Sequence, residues 1–340
     1  MFRLFKNIKF YNYFKKRNFV LIKNDKIFFK PIKILYAGSL IFAIKDFFGI
    51  EKLRLDDDPL KDMVKQAWLY TKYEDYNKAI TILHHALKIA YEQKNDIVMT
   101  RIYLEMADVF AASEEKNGAE NLYKLVLQRL TTVHNFSNSH PSFITTSIKL
   151  ASILAAKGNI RDADIGFKHC IKKQKENVME QEKDETNNIK ALYGYALNAY
   201  AHFLIKHGGD ELVEEAQMYM DISIEQSTDI FGKNDSSTLH LINNFAALCI
   251  MNNYFEIAKK YLESVINSQK NTIEDEEIVI AMYCNYAEAL YHTGKIEKAI
   301  NFAERALLLS NKFDKNIHDF ALDYNNSLKK NEKKTYWFFF

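Results

Sequence analysis

Ser147-Ile-Lys-Leu-Ala-Ser-Ile-Leu-Ala-Ala-Lys-Gly-Asn-Ile-Arg-Asp-Ala163 and Tyr283-Cys-Asn-Tyr-Ala-Glu-Ala-Leu-Tyr-His-Thr-Gly-Lys-Ile-Glu-Lys-Ala299 are two readings of one layout. In each, a small residue (Ala151, Ala287) is followed twelve positions later by a second (Ala163, Ala299), with a Gly-containing turn between them. An apolar residue then follows at +4 and a small or apolar one at +7. Two antiparallel helices can approach closely only where the crossing side chains are small, which is the physical reason for alanine at both places. The layout recurs at Ala79, Ala119, Ala163, Ala216, Ala258 and Ala299, with first-helix partners Ala67, Ala107, Ala151, Ala201, Ala246 and Ala287. Larger residues such as Tyr123, Phe167, Met220 and Leu262 are expected to fill the space towards the next copy.

Composition agrees. Ten Gly and three Pro in 340 residues compare with about 24 and 17 at average usage. An all-β chain needs turn residues about every 8–12 positions, so the punctuation for one is missing. Six copies in register over residues 60–311 predict an all-α solenoid of about six helical hairpins, with an extra N-terminal segment and a C-terminal helix. The pattern resembles the tetratricopeptide repeat, although the spacing between anchors, 40 to 53 residues, exceeds the minimal 34 or so. Longer helices or linkers, as in kinesin-light-chain-type repeats, account for the difference. The expected organisation is a basic segment at 1–33, an apolar helix and linker at 34–58, the repeat domain at 59–330 and a tail at 331–340.

The copy at 197–224 departs from the rest. Ala201 and Ala216 are fifteen apart, which puts Gly208-Gly209 in a turn with three extra residues. The charged run Glu176–Lys190 reads as an extended helix end or a hairpin tip. His140-Pro141 and Phe231-Gly232-Lys233-Asn234 mark two further breaks.

Charge divides the chain. Residues 1–50 hold eleven Lys/Arg against two acids, +9, and 51–340 carry −7. An acidic body disfavours nucleic acid, which requires clustered cations. The head has no apolar run of a secretory signal. Leu4, Phe5, Ile8 and Tyr11 would share one side of a helix with cations on the other, the pattern of a mitochondrial presequence, or else of a basic tail. Residues 34–44 are eleven uncharged positions, about 16 Å as helix, and 34–50 reach about 25 Å, marginal for a membrane span. Three distant cysteines, Cys170, Cys249 and Cys284, argue against a disulfide framework or a zinc site.

Catalytic signatures are missing: no GxSxG, Walker A, GxGxxG or HExxH occurs. The pairs His84-His85, His134 with His140, and His202 with His207 lack metal-ligand spacing and read as surface or edge residues. No catalytic residue, cofactor or metal ion is expected. Asn198, Asn243, Asn244 and Asn285 are the candidate contacts. They lie on the first helices of the last three repeats, and first helices line the concave face of such a solenoid. An amide there can both donate to and accept from the backbone of an extended peptide.

Two segments carry a more specific likeness: Ala79-Ile-Thr-Ile-Leu-His-His-Ala-Leu-Lys-Ile-Ala-Tyr91, and Ser147 to Ala156 leading to Gly166-Phe-Lys-His-Cys-Ile171. With the register of the whole body, they make the chain similar to the mitochondrial tetratricopeptide repeat protein 19 family. The resemblance implies a non-enzymatic, imported protein with a transit peptide, held at the mitochondrial inner membrane. It further implies a respiratory-chain role: binding respiratory complex III (cytochrome bc1) and supporting its assembly or maintenance, around incorporation of the Rieske iron–sulfur subunit and clearance of its fragments. The alternative is a cytosolic kinesin-light-chain-like peptide-binding adaptor, for which the expected upstream heptads are absent.

Overall fold

The computed structural model describes residues 59–180, 186–267, 276–313 and 315–337. The readings of the basic head, of residues 34–50 and of the final three aromatics fall outside them. Thirteen α-helices run in order among the described residues: α1 (Pro59–Lys72), α2 (Tyr76–Glu92), α3 (Asp96–Ala112), α4 (Lys116–Thr132), α5 (Pro141–Ala156), α6 (Ile160–Glu180), α7 (Thr186–His207), α8 (Val213–Phe231), α9 (Ser236–Met251), α10 (Phe255–Ile266), α11 (Glu276–His292), α12 (Ile296–Ser310) and α13 (Lys315–Trp337). The fold is all-α, a solenoid of tetratricopeptide-type hairpins. The chain divides into two compact units, one ending at Phe231 and the other beginning at Gly232. The first holds four hairpins, α1/α2 to α7/α8. The second holds α9/α10 and α11/α12, with α13 laid on α12.

All twelve crossing alanines are buried, from Ala67 and Ala79 to Ala287 and Ala299. Tyr123, Phe167, Met220 and Leu262 are buried as well. Between α5 and α6 the approach is so close that a Cβ on Gly166 would stand 3.2 Å from the Cβ of Ala151. In the first unit Phe167 meets Tyr200 and Phe203 with ring centroids 5.9 and 5.2 Å apart, and Tyr219 meets Tyr200 edge-on at 5.0 Å. These bulky side chains join one hairpin to the next, while alanine joins the two helices within one.

Five of the six hairpin turns share one construction. One residue adopts the left-handed conformation: Glu74 (φ 60°), Glu114 (65°), Gly158 (87°), Asn253 (65°) or Gly294 (80°). The next amide then donates to the carbonyl five residues back: Asp75 to Tyr70 and Glu115 to Phe110 at 2.9 Å, Asn159 to Leu154 at 2.9 Å, Tyr254 to Cys249 at 2.8 Å. This bond satisfies a carbonyl orphaned at the helix end. Incoming helices are capped by side chains: Asp75 for α2, Asn95 for α3, His140 for α5 and Asp235 for α9 each accept from an amide of the first turn.

The fourth hairpin keeps the register in spite of its insertion. Gly209 is left-handed (φ 67°) and the three extra residues, Asp210–Leu212, form a 3₁₀ turn before α8. The charged stretch after Glu176 extends α6 to Glu180, a long helix end; 181–185 are outside the described residues. Residues 331–337, read as a tail, continue α13 as helix. Among the described residues no helix is long and apolar enough to cross a membrane.

Two stability outcomes follow. Glu114→Gly removes a left-handed non-glycine residue and should raise unfolding free energy by about 0.5–1 kcal/mol, whereas Gly158→Ala, whose Cβ would meet no atom within 4 Å, should lower it by about 1 kcal/mol; urea titration measures both. His140 accepts the Ser142 amide through Nδ1 at 3.1 Å, and burial holds its pKa below the ordinary 6.5. A lowered histidine pKa favours the folded state above 6.5, and that contribution is lost as pH falls below it. Thermal unfolding of His140→Asn, which retains a cap acceptor but does not titrate, should therefore fall less steeply between pH 7 and pH 5 than that of the parent.

Candidate functional site

First helices place their polar residues in register, and the structure shows what each residue does there. Glu105 of α3 is buried, accepts from Trp68 Nε1 of α1 and forms an ion pair with Arg101, whose Nη2 stands 2.7 Å away. Asp108, one turn on, accepts from Lys149 of α5 on both oxygens, at 2.8 and 2.7 Å, and from the Tyr123 hydroxyl at 2.8 Å. Burial and the neighbouring Asp108 carboxylate push the Tyr123 phenol well above its usual range. In the second unit Asn285 Nδ2 of α11 donates to Asn243 Oδ1 of α9 at 2.9 Å. The paired residues stand 37, 41 and 42 apart, close to one repeat. Neighbouring first helices are therefore stitched laterally, Trp68–Glu105 and Asp108–Lys149 at equivalent positions of their repeats and Asn243–Asn285 at a different one.

Each of the four candidate asparagines has a definite place. Asn198 lies on α7 in the first unit, 1% exposed, and neither amide atom has a hydrogen-bond partner. Asn243 (0% exposed) and Asn244 (2%) lie side by side on α9 in the second unit. Asn243 uses its oxygen on Asn285 and leaves Nδ2 without a partner. Asn285 is half-buried. Only Asn243 and Asn285 are brought into direct contact. Their burial is the feature that composition conceals: an asparagine on a helix face reads as exposed until the neighbouring helix is placed. The lateral pairs were missed for the same reason. A search for complementary side chains one repeat apart would have found Asp108 and Lys149.

Glu288 on α11 accepts from the Tyr324 hydroxyl of α13 at 3.0 Å and contacts His292 Nε2 at 3.1 Å. Burial first, and the Glu288 carboxylate after it, raise the Tyr324 pKa well above normal. Cys170 and Cys284 are buried, and burial pushes both thiols up to about 12; Cys249 is raised further by the same cause. They are protonated at neutral pH and poor nucleophiles. His84 and His85 are exposed, His134 Nε2 sits 2.8 Å from the Thr100 hydroxyl, and His202 is half-buried, its pKa lowered to about 4 by desolvation. Among the described residues no group of His, Cys, Asp and Glu could hold a metal ion. The chemistry these faces offer is hydrogen bonding by amides set among helices held by charge pairs.

No protein-family model matches the chain. It is similar to tetratricopeptide repeat protein 19, mitochondrial, of Mus musculus, 25% identical over 252 residues, 72% of this chain and 67% of that protein. The Homo sapiens protein of the same name is 26% identical over 254 residues, 72% of this chain and 65% of its own length. The Drosophila melanogaster homolog is 24% identical over 234 residues, 68% and 62%. The chain thus spans about two thirds of the length of these relatives. Among solved structures it is similar to BtubC from P. vanneervenii, with 17% identity, 75% of this chain and 92% of that chain covered, and a TM-score of 0.46.

Removing one member of a desolvated pair leaves the others without a counter-charge. Asp108→Ala, which orphans both Lys149 and Tyr123, should cost about 2–4 kcal/mol of unfolding free energy, and the double variant Asp108→Ala/Lys149→Met should recover part of it. A double-mutant cycle in urea measures the coupling.

Proposed function

We propose that this chain is a non-enzymatic binding scaffold of the mitochondrial inner membrane that docks a polypeptide segment of respiratory complex III. In this reading it supports assembly or maintenance of that complex around incorporation of the Rieske iron–sulfur subunit and clearance of its fragments. The similarity to three proteins whose names place them in mitochondria carries the reading. The +9 head supports it: cationic, acid-poor segments are drawn inward by the membrane potential.

The first-helix faces are the proposed grip. An extended peptide exposes one amide and one carbonyl per residue, and an asparagine side chain answers both. Asn198 has both amide atoms uncommitted and Asn243 has its donor uncommitted. Both side chains are closed off from solvent in the free chain, so a peptide backbone reaches them only as α7 or α9 shifts against its neighbours, and the partner it then supplies offsets the roughly 1–3 kcal/mol cost of a buried unpaired polar atom. Within the second unit, Asn244 and Asn285 are the proposed contacts beside Asn243.

Two measurements test this. A fluorescent reporter fused to residues 1–50 should enter mitochondria; a cytosolic reporter would overturn the localisation. The full chain should co-purify with complex III subunits, the Rieske protein among them. Asn198→Leu, which removes the uncommitted amide at similar volume, should weaken that recovery about tenfold without lowering the unfolding midpoint. Undiminished recovery would remove Asn198 from the grip.

A further inference from the structure

The two ends of the hairpins in the first unit differ in chemistry. At one end lie the turns within hairpins, which carry Glu74-Asp75, Glu114-Glu115, Lys157 with Arg161, and Asp210-Glu211, and whose apolar residues are less open, Tyr73 at 41% and Ile160 at 36%. At the other lie the linkers between hairpins, which carry Tyr91 and Ile97 (73% and 72% exposed), Val133 and Phe136 (both exposed), with Met179 exposed near the end of α6. Side-chain bonds bring these linkers to one edge. His134 of the α4–α5 linker meets Thr100 in the first turns of α3 at 2.8 Å, Arg129 near the end of α4 reaches Asp96 at 2.7 Å, and Asn177 of α6 donates to the Ser139 carbonyl at 3.0 Å. Large apolar side chains exposed along one edge, Tyr91 and Ile97 by nearly three quarters, call for a partner.

The course of the chain indicates which one. Trp68 of α1 bonds to Glu105 of α3, so the two helices run side by side in the same direction. Counting back nine residues on each sets Pro59 level with Asp96. The chain therefore enters the unit at the apolar edge. Only residues 51–58 separate that point from the apolar stretch 34–50, and eight residues span at most about 28 Å however they run. Apolar side chains rather than charge mark this edge: the linker 91–97 has one cation and two acids, 133–140 has no Lys, Arg, Asp or Glu, and the acids Glu176 and Glu180 at the end of α6 lie further along it.

We propose that the unit 59–231 turns its linker edge towards the lipid surface, with Tyr91, Ile97, Val133 and Phe136 entering the headgroup region. This rests on the membrane association in the proposed function. It adds an orientation: the hairpins stand on their linkers and present the turns within hairpins away from the bilayer. Apolar insertion rather than charge holds the contact, so added salt leaves it in place.

The test uses the full chain and vesicles of phosphatidylcholine. Cys170, Cys249 and Cys284 are buried, so a maleimide fluorophore reports on a cysteine introduced at the surface, in Ile97→Cys or Phe136→Cys at the linker edge and in Tyr73→Cys or Glu114→Cys at the opposite end. Circular dichroism checks that each variant keeps the parent fold. Flotation in a density gradient measures binding, and brominated acyl chains report depth. The expected result is flotation at low and high salt, with several-fold stronger quenching at positions 97 and 136 than at 73 and 114. Flotation with equal or reversed quenching would overturn the orientation and leave the membrane reading standing. Absence of flotation would overturn both. Crosslinking from position 97 to a complex III subunit, without lipid quenching, would make the edge a protein interface and end the proposal.

Discussion

Everything in this molecule depends on how closely two helix axes can be brought together. An alanine at each side of the crossing lets α-helical backbones approach to the short end of the usual 8–10 Å range. That approach fixes the hairpin as a unit of nearly constant shape. Because all twelve crossing residues are buried, a larger side chain at any of them would force the helices apart and displace the surfaces on which the next hairpin rests. The aromatic and aliphatic residues that fill the gaps between hairpins, Phe167 and Tyr200 among them, have room only because the alanines have set the spacing.

Hairpin closure has its own chemistry, separate from the core. A left-handed residue followed by a five-residue-back hydrogen bond ends the first helix and aims the second. Glycine is the natural choice there, and Gly158 and Gly294 use it, but Glu74 and Glu114 hold the same conformation against steric cost. The geometry is thus imposed by packing on both sides of the turn. The fourth hairpin shows the same dominance: three additional residues are absorbed as a single 3₁₀ turn at Asp210–Leu212, while Ala201 and Ala216 remain buried.

Much of this is legible in the residues alone, for a definite reason. Periodicity reports local constraint, and the crossing alanines, the turns and the gap-filling aromatics are local to one repeat. Side-chain partnership across repeats is different. Asp108 and Lys149 are 41 residues apart and meet because α3 and α5 are neighbours, which no single helix pattern reveals. Asn198, Asn243 and Asn244 illustrate the same limit: their positions on first helices follow from the repeat, but their burial depends on what stands beside those helices. His140 is a smaller case, since a histidine before a proline reads as a loop residue and acts as a helix cap.

The lateral pairs also constrain how such a chain can change over time. Trp68 with Glu105, and Asp108 with Lys149, each draw one member from one hairpin and the second from its neighbour. Deleting or duplicating a single hairpin would rejoin helices whose faces no longer match, stranding a carboxylate here and an ammonium there. Solenoids with interchangeable units can lengthen and shorten freely. This one has written neighbour identity into its units, so its hairpins are not interchangeable.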